Sequence, residues 1–118
     1  YGFECDKKLK KGVCLDKVCS GTTVCSTLKP THEPQIKMLQ KIRQMPHIKK
    51  AFVNSGIRYD LINEDKKHGH QYLKTLVDHH ISGQMKIAPE HTEDNILKLM
   101  GKPNKDALLN FKSKFDNL

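Results

Sequence analysis

The sequence has no tryptophan, three tyrosines and four phenylalanines, and its hydrophobic content is 36% over 118 residues. So little apolar mass supports one modest core and excludes two ordinary domains. No apolar run approaches the roughly 18 residues of a membrane helix, and no secretory leader pattern stands at the front. A soluble, cytoplasmic protein with no membrane partner is therefore expected. G-x-S-x-G, the phosphate-binding P-loop and G-x-G-x-x-G are all missing, which removes the best-marked hydrolase and nucleotide-binding classes. Glu90-His91 has no upstream histidine at zincin spacing, which disfavours metalloprotease chemistry as well. The chain also lacks an initiator methionine at Tyr1 and stops at Leu118 inside a helical pattern, as a segment of something longer would.

Acidic residues are the scarcer charge, 13 against 21 Lys and Arg, for a formal charge of +8. That balance favours anionic partners such as RNA. The lysines, however, are scattered in short groups (Lys7-Lys8, Lys10-Lys11, Lys49-Lys50, Lys66-Lys67), the distribution of a solvated face. With Phe111 and Phe115 committed to a helical stripe, few rings are left to stack on bases. A basic RNA-binding accessory module is the alternative reading, and nucleic acid is not the favoured partner.

Residues 1–32 show no sustained period of either helix or strand, and Cys5, Cys14, Cys19 and Cys25 punctuate them. The C-x8-C-x4-C-x5-C spacing lacks the C-x-x-C knuckle of most zinc sites. Ligation of zinc or an iron–sulfur cluster, free thiols, and disulfides all stay open, a reducing cytosol disfavouring the last.

From residue 33 the patterns sharpen. Ile36, Leu39 and Ile42 recur on one helical face as far as Met45, where Pro46 ends the helix. Ala51-Phe52-Val53 reads as a strand buried on both faces. The frame continues extended through Ile57-Arg58-Tyr59-Asp60-Leu61-Ile62, which puts Arg58 and Asp60 on one side, as an anion clamp or as an ion pair. Leu73, Leu76, Val77 and His80 form the stripe of a second helix, long enough with its loops for a right-handed crossover between parallel strands. Adjacent His79 and His80 point to different sides of that helix and read as structural. Met85 and Ile87 alternate as a second strand, entered through Gly83 as a helix C′ residue and stopped by Pro89. Glu90 and His91 come just past its end, and Thr92 supplies an N-cap hydroxyl. Ile96, Leu97, Leu99 and Met100 mark a third helix closed by Gly101. Leu108, Phe111, Phe115 and Leu118 mark a fourth, capped by Asn104. The expected fold class is α/β, with short parallel strands near 49–55 and 84–88 flanked by helices at 34–45, 66–80, 92–100 and 105–117.

Val53-Asn54-Ser55-Gly56-Ile57-Arg58-Tyr59-Asp60-Leu61, His79-His80, Lys86-Ile87-Ala88-Pro89-Glu90-His91-Thr92 and Leu99-Met100-Gly101-Lys102-Pro103, taken together, resemble the YgiQ-like radical S-adenosylmethionine proteins. The likeness extends to the cysteine region, since that family is similar in carrying four cysteines at these separations ahead of a Leu-x-x-x-His-x-Pro helix start, here Leu28 to Pro34. The resemblance implies a central fragment of an iron–sulfur oxidoreductase of unknown substrate. Residues 33–118 would then be part of a partial (β/α) barrel and residues 1–32 a Cys-rich insert. It also implies S-adenosylmethionine and a [4Fe-4S] cluster in the parent protein. The family's C-x-x-x-C-x-x-C cluster loop does not occur in this sequence, so no radical chemistry is expected of the chain alone and its partner is the remainder of the parent. Asn54, Ser55, Arg58, Lys86 and Glu90 would line the cofactor cleft, Glu90 holding the ribose or amino group and Arg58 or Lys86 the carboxylate. Cys5, Cys14, Cys19 and Cys25 would hold zinc or an auxiliary cluster.

Overall fold

The computed structural model describes residues 2, 3, 5–12, 14, 15 and 18–118. Its elements in order are β1 (Gly2–Phe3), α1 (Asp6–Lys11), β2 (Leu28–Lys29), α2 (Glu33–Gln44), α3 (Tyr59–Glu64), α4 (Gly69–His79), α5 (Asp94–Leu99) and α6 (Lys105–Asp116). β1 and β2 pair antiparallel, Gly2 with Lys29 and Phe3 with Leu28. This short ladder closes residues 2–29 into a loop.

α2 starts with proline in its first turn, where the missing N–H costs nothing, and buries Ile36 and Leu39. α4 buries Tyr72, Leu73 and Leu76. These side chains join Tyr59, Ile62 and Phe111 in one core. Leu73 and Leu76 are fully inaccessible, so each contributes the full transfer free energy of a leucine, about 2 kcal/mol. α6 is capped as its sequence suggests, the Asn104 side chain accepting the Ala107 N–H at 3.1 Å. α5 ends in a Schellman turn: Lys102 N–H donates to Leu97 O at 2.9 Å, Gly101 N–H donates to Lys98 O at 3.2 Å, and Gly101 has φ of 64°.

Two extended segments lie over this core. They meet in parallel at one bridge, Ile57 with Ile87, where Ile57 N–H donates to Lys86 O at 2.8 Å. Val53, Ile57, Met85 and Ile87 pack inward. Between the two segments runs α4, and His80 at its end ties the first segment down. Its Nδ1 lies 2.7 Å from Ala51 O, and Val53 N–H donates to the His80 carbonyl at 2.8 Å. Because a carbonyl only accepts, Nδ1 carries the proton. Nε2 is buried without a partner among the described residues.

Five sequence expectations need correction. No strand forms at 49–55 or at 84–88: the two segments are extended chain sharing the single Ile57–Ile87 bridge, too few paired residues to make a ladder. Tyr59 to Glu64 is helix rather than extended chain; Tyr59, Asp60, Leu61, Ile62 and Asn63 are all buried, and only a helix satisfies the backbone of such a run without strands on both sides. Phe52 is exposed on one face, because the helices described cover only the other. Thr92 does not cap α5: Glu93 holds the cap position, and the His91 ring accepts the Glu93 N–H at 2.9 Å instead. Gly83, with φ of 139°, lies beyond C′, since α4 ends at His79.

Candidate functional site

The bridge between Ile57 and Ile87 gives the two extended segments a common direction, so the residues C-terminal to each lie at the same end. After Ile57 comes Arg58, the N-cap residue of α3. After Ile87 come Ala88, Pro89 and Glu90. Of the five sequence-derived site residues, Arg58 and Glu90 are thus at this end. Asn54, Ser55 and Lys86 precede the bridged residues and are exposed.

Arg58 is an ion-pair partner as well as a cation. Its Nε donates to Asp60 Oδ1 at 2.9 Å and Nη2 donates to Oδ2 at 2.6 Å, a two-point contact to a buried carboxylate. Half of the Arg58 side chain remains exposed, so Asp60 orients the guanidinium at the surface. Beside it, burial and then the Asp60 charge push the Tyr59 phenol above its ordinary pKa, with Arg58 opposing them. The phenol therefore stays neutral.

Glu90 has φ of 70°, a left-handed backbone that a residue with Cβ adopts at a cost of about 1–2 kcal/mol. Its carboxylate reaches Lys102 Nζ at 3.2 Å across a solvent-exposed gap, worth at most about 1 kcal/mol. The expected consequence is that Glu90→Gly raises stability by about 0.5–1 kcal/mol despite losing the ion pair. Urea denaturation checks this, and a loss of stability would mean that the side chain holds the loop. A strained residue whose own side chain contributes little to stability is typical of functional loops.

The cysteines form a second candidate site. All four are thiols rather than disulfides. Cys25 Sγ lies 3.3 Å from Thr27 Oγ1. The Lys8 backbone N–H first, and then the Thr27 hydroxyl, hold the Cys5 thiol below its ordinary pKa, against slight burial and the Cys25 thiol. Cys19 is linked through its carbonyl, which accepts the Cys25 N–H at 2.9 Å. Among the described residues no three His, Cys, Asp or Glu side chains converge closely enough to hold a metal ion.

Sequence reasoning missed a buried pair. The Asp65 carboxylate accepts the His32 N–H at 2.7 Å and lies 2.8 Å from His32 Nδ1, while the His68 N–H donates to its other oxygen at 2.8 Å. The His32 ring stacks on Tyr72 at 4.5 Å between centroids. Residues 33 positions apart carry no local signal of such a contact.

The chain is similar to UPF0313 proteins. It is 54% identical to one from Fusobacterium nucleatum over 98% of its own length and 20% of the relative's. Against one from Clostridium perfringens the identity is 42% over 94% of the chain and 16% of the relative. Against one from Methanosarcina mazei it is 40% over 98% and 18%. The chain therefore spans a fifth or less of the length of these UPF0313 relatives. No family model and no solved structure matches it. Among the described residues, no helix is long and apolar enough to cross a membrane.

Proposed function

We propose that this chain is the central part of a YgiQ-like radical S-adenosylmethionine protein and contributes part of that protein's cofactor cleft. The observation that carries the reading is the placement of Arg58 and Glu90 at one end of the parallel bridge, with Glu90 in a strained backbone. Cofactor sites of α/β folds lie beyond the carboxyl ends of parallel strands, and the far greater length of the UPF0313 relatives agrees with a chain that needs its remainder. The partial barrel, with 1–32 as its Cys-rich insert, belongs to this proposal.

The donor sets at hand suit the cofactor and not its cluster. A carboxylate at Glu90 can accept from ribose hydroxyls or an ammonium, and Arg58 or Lys86 can pair with a carboxylate; Asn54 and Ser55 add neutral polar groups nearby. For the catalytic [4Fe-4S] cluster, whose redox chemistry cleaves S-adenosylmethionine, the chain has no C-x-x-x-C-x-x-C loop. Cys5, Cys14, Cys19 and Cys25 offer the right soft donors for zinc or an auxiliary cluster, but would have to converge on binding. RNA is the weaker partner: Tyr59, Tyr72 and Phe111 are spent in the core, away from any base.

The test uses the full-length parent beside the 118-residue chain, both without oxygen and with reductant. The parent is expected to form 5′-deoxyadenosine and the chain none. In the parent, Arg58→Ala and Glu90→Gln should each weaken S-adenosylmethionine binding about tenfold, the loss of one charge-assisted hydrogen bond. Turnover by the chain alone, or unchanged binding in both variants, overturns the proposal.

A further inference from the structure

We propose that the cleft between α3, α6 and residues 22–24 binds the neighbouring hydroxyls of a sugar, with the Asn63 amide as its anchor. The site needs neither Glu90 nor a cluster, so it stands apart from the cofactor reading above.

The cleft has a volume of about 320 Å³, room for one small polar ligand. Its walls come from three parts of the chain that are tied to one another: the Asn104 N–H donates to Thr22 O at 3.3 Å, and Asn63 Nδ2 donates to Ala107 O at 2.8 Å. The second bond fixes the amide. A carbonyl only accepts, so Asn63 must turn its nitrogen to Ala107 and leave Oδ1 as a separate acceptor. That oxygen has no hydrogen-bond partner among the described residues, although Asn63 is only 5% exposed. It has given up water without gaining a donor. Asn63 lines the cleft, where a ligand hydroxyl can supply what is missing. Because Oδ1 is itself buried, the wall must open for that hydroxyl to reach it; Glu64 and Lys66, the lining residues nearest in sequence, are exposed and can move.

The rest of the lining selects among ligands. Asp60 is taken by Arg58 at 2.6 Å and Glu64 by Lys66 at 3.9 Å, which leaves Asp106 as the lining carboxylate without a cation partner among the described residues. A carboxylate ligand would meet that charge and has no proton to give Asn63. An ammonium ion would donate to both acceptors but accept nothing from Asn104, whose Oδ1 is spent on the Ala107 N–H and whose Nδ2 is left to donate. Neighbouring sugar hydroxyls do both. One donates to Asn63 Oδ1 or Asp106 while the next accepts from Asn104 Nδ2, and the C–H face of the ring has Val24 and Ala107 as the apolar part of the lining.

In the test, the whole isotope-labelled chain is titrated with D-glucose, D-galactose and D-ribose and followed by amide NMR. A few hydrogen bonds and one small apolar face correspond to a Kd of about 1–10 mM, so the titration runs to about 50 mM. At least one sugar should give saturable shifts at Thr22, Thr23, Asn104 and the Asn63 side-chain amide, and methylammonium and inorganic phosphate at the same concentration should not. Asp106→Ala, a change at an exposed position, should keep the dispersed spectrum of the parent sequence and weaken that sugar about tenfold, the loss of one charge-assisted hydrogen bond. No saturable shift with any of the three sugars would mean that Asn63 Oδ1 serves water alone. That result, saturation by methylammonium or phosphate, or undiminished sugar binding by Asp106→Ala overturns the proposal.

Discussion

Replacing Asp65 with alanine is expected to lower stability by about 3 kcal/mol, from the usual cost of stranding buried partners of a charged group. The carboxylate is almost wholly buried and holds two pieces of chain together: the start of α2 through His32, and the turn between α3 and α4 through the His68 N–H. Its loss leaves the His32 N–H and imidazole without their acceptor inside the protein. Burial alone would push the Asp65 carboxyl up, but the His68 N–H, the His32 imidazole and the His32 N–H outweigh it and hold the pKa below the ordinary carboxylate value. A carboxyl with a depressed folded pKa stabilises fully above its unfolded pKa, about 3.9, and that stabilisation is lost as pH falls through the lower folded value. The Asp65 contribution to the difference between the parent sequence and Asp65→Asn should therefore shrink as the pH falls below about 4. Denaturation midpoints across this range decide it. A difference that failed to shrink below about pH 4 would show that the Asp65 carboxyl is not held below its ordinary pKa in the folded protein.

Much of the helical framework was legible because its signals are local. Ile36 and Leu39, Leu73 and Leu76, and Phe111 sit at helical spacing on stripes that are buried in the structure, and Asn104 and Gly101 mark helix ends by backbone chemistry that needs no distant partner. α3 was not legible. Ile57, Tyr59, Leu61 and Ile62 are strand-prone residues, and a short helix buried on all sides has no polar face to give it a period. α1 is the opposite case: Asp6–Lys11 is almost entirely polar and none of its residues is buried, so nothing in its pattern separates it from loop.

The site was legible by residue and not by geometry. Arg58 and Asp60 do pair, as their side-by-side placement allowed, but across the first turn of a helix rather than along a strand. Glu90 gave no hint of its left-handed backbone, since glutamate has no preference for that region. The cysteine spacing said that the four sulfurs lie close in sequence.

Gly69→Ala should destabilise the chain by about 3 kcal/mol, the upper range for overpacking a tight site, although local propensity argues for the opposite sign. Inside a helix, alanine exceeds glycine by about 1 kcal/mol, and Gly69 is the first residue of α4, with no positive φ that a side chain would strain. Space decides the outcome. A Cβ built there would stand 2.3 Å from the Ile62 carbonyl oxygen and 3.4 Å from Asp65 Cβ. The first of these atoms is backbone and cannot rotate away, so α4 would have to withdraw from α3 and carry Tyr72, Leu73 and Leu76 with it. The same movement would pull the His68 N–H from Asp65, which makes the two substitutions non-additive, as coupled neighbours are. Gly56→Ala is the matched control: nothing lies within 4 Å of its added carbon, and a change within about 0.5 kcal/mol is expected. Urea unfolding of the three proteins separates the two effects. If Gly69→Ala proved as stable as the parent, the start of α4 would have room to slide, and the α3–α4 corner would not be the rigid junction on which Arg58 and Asp60 are mounted.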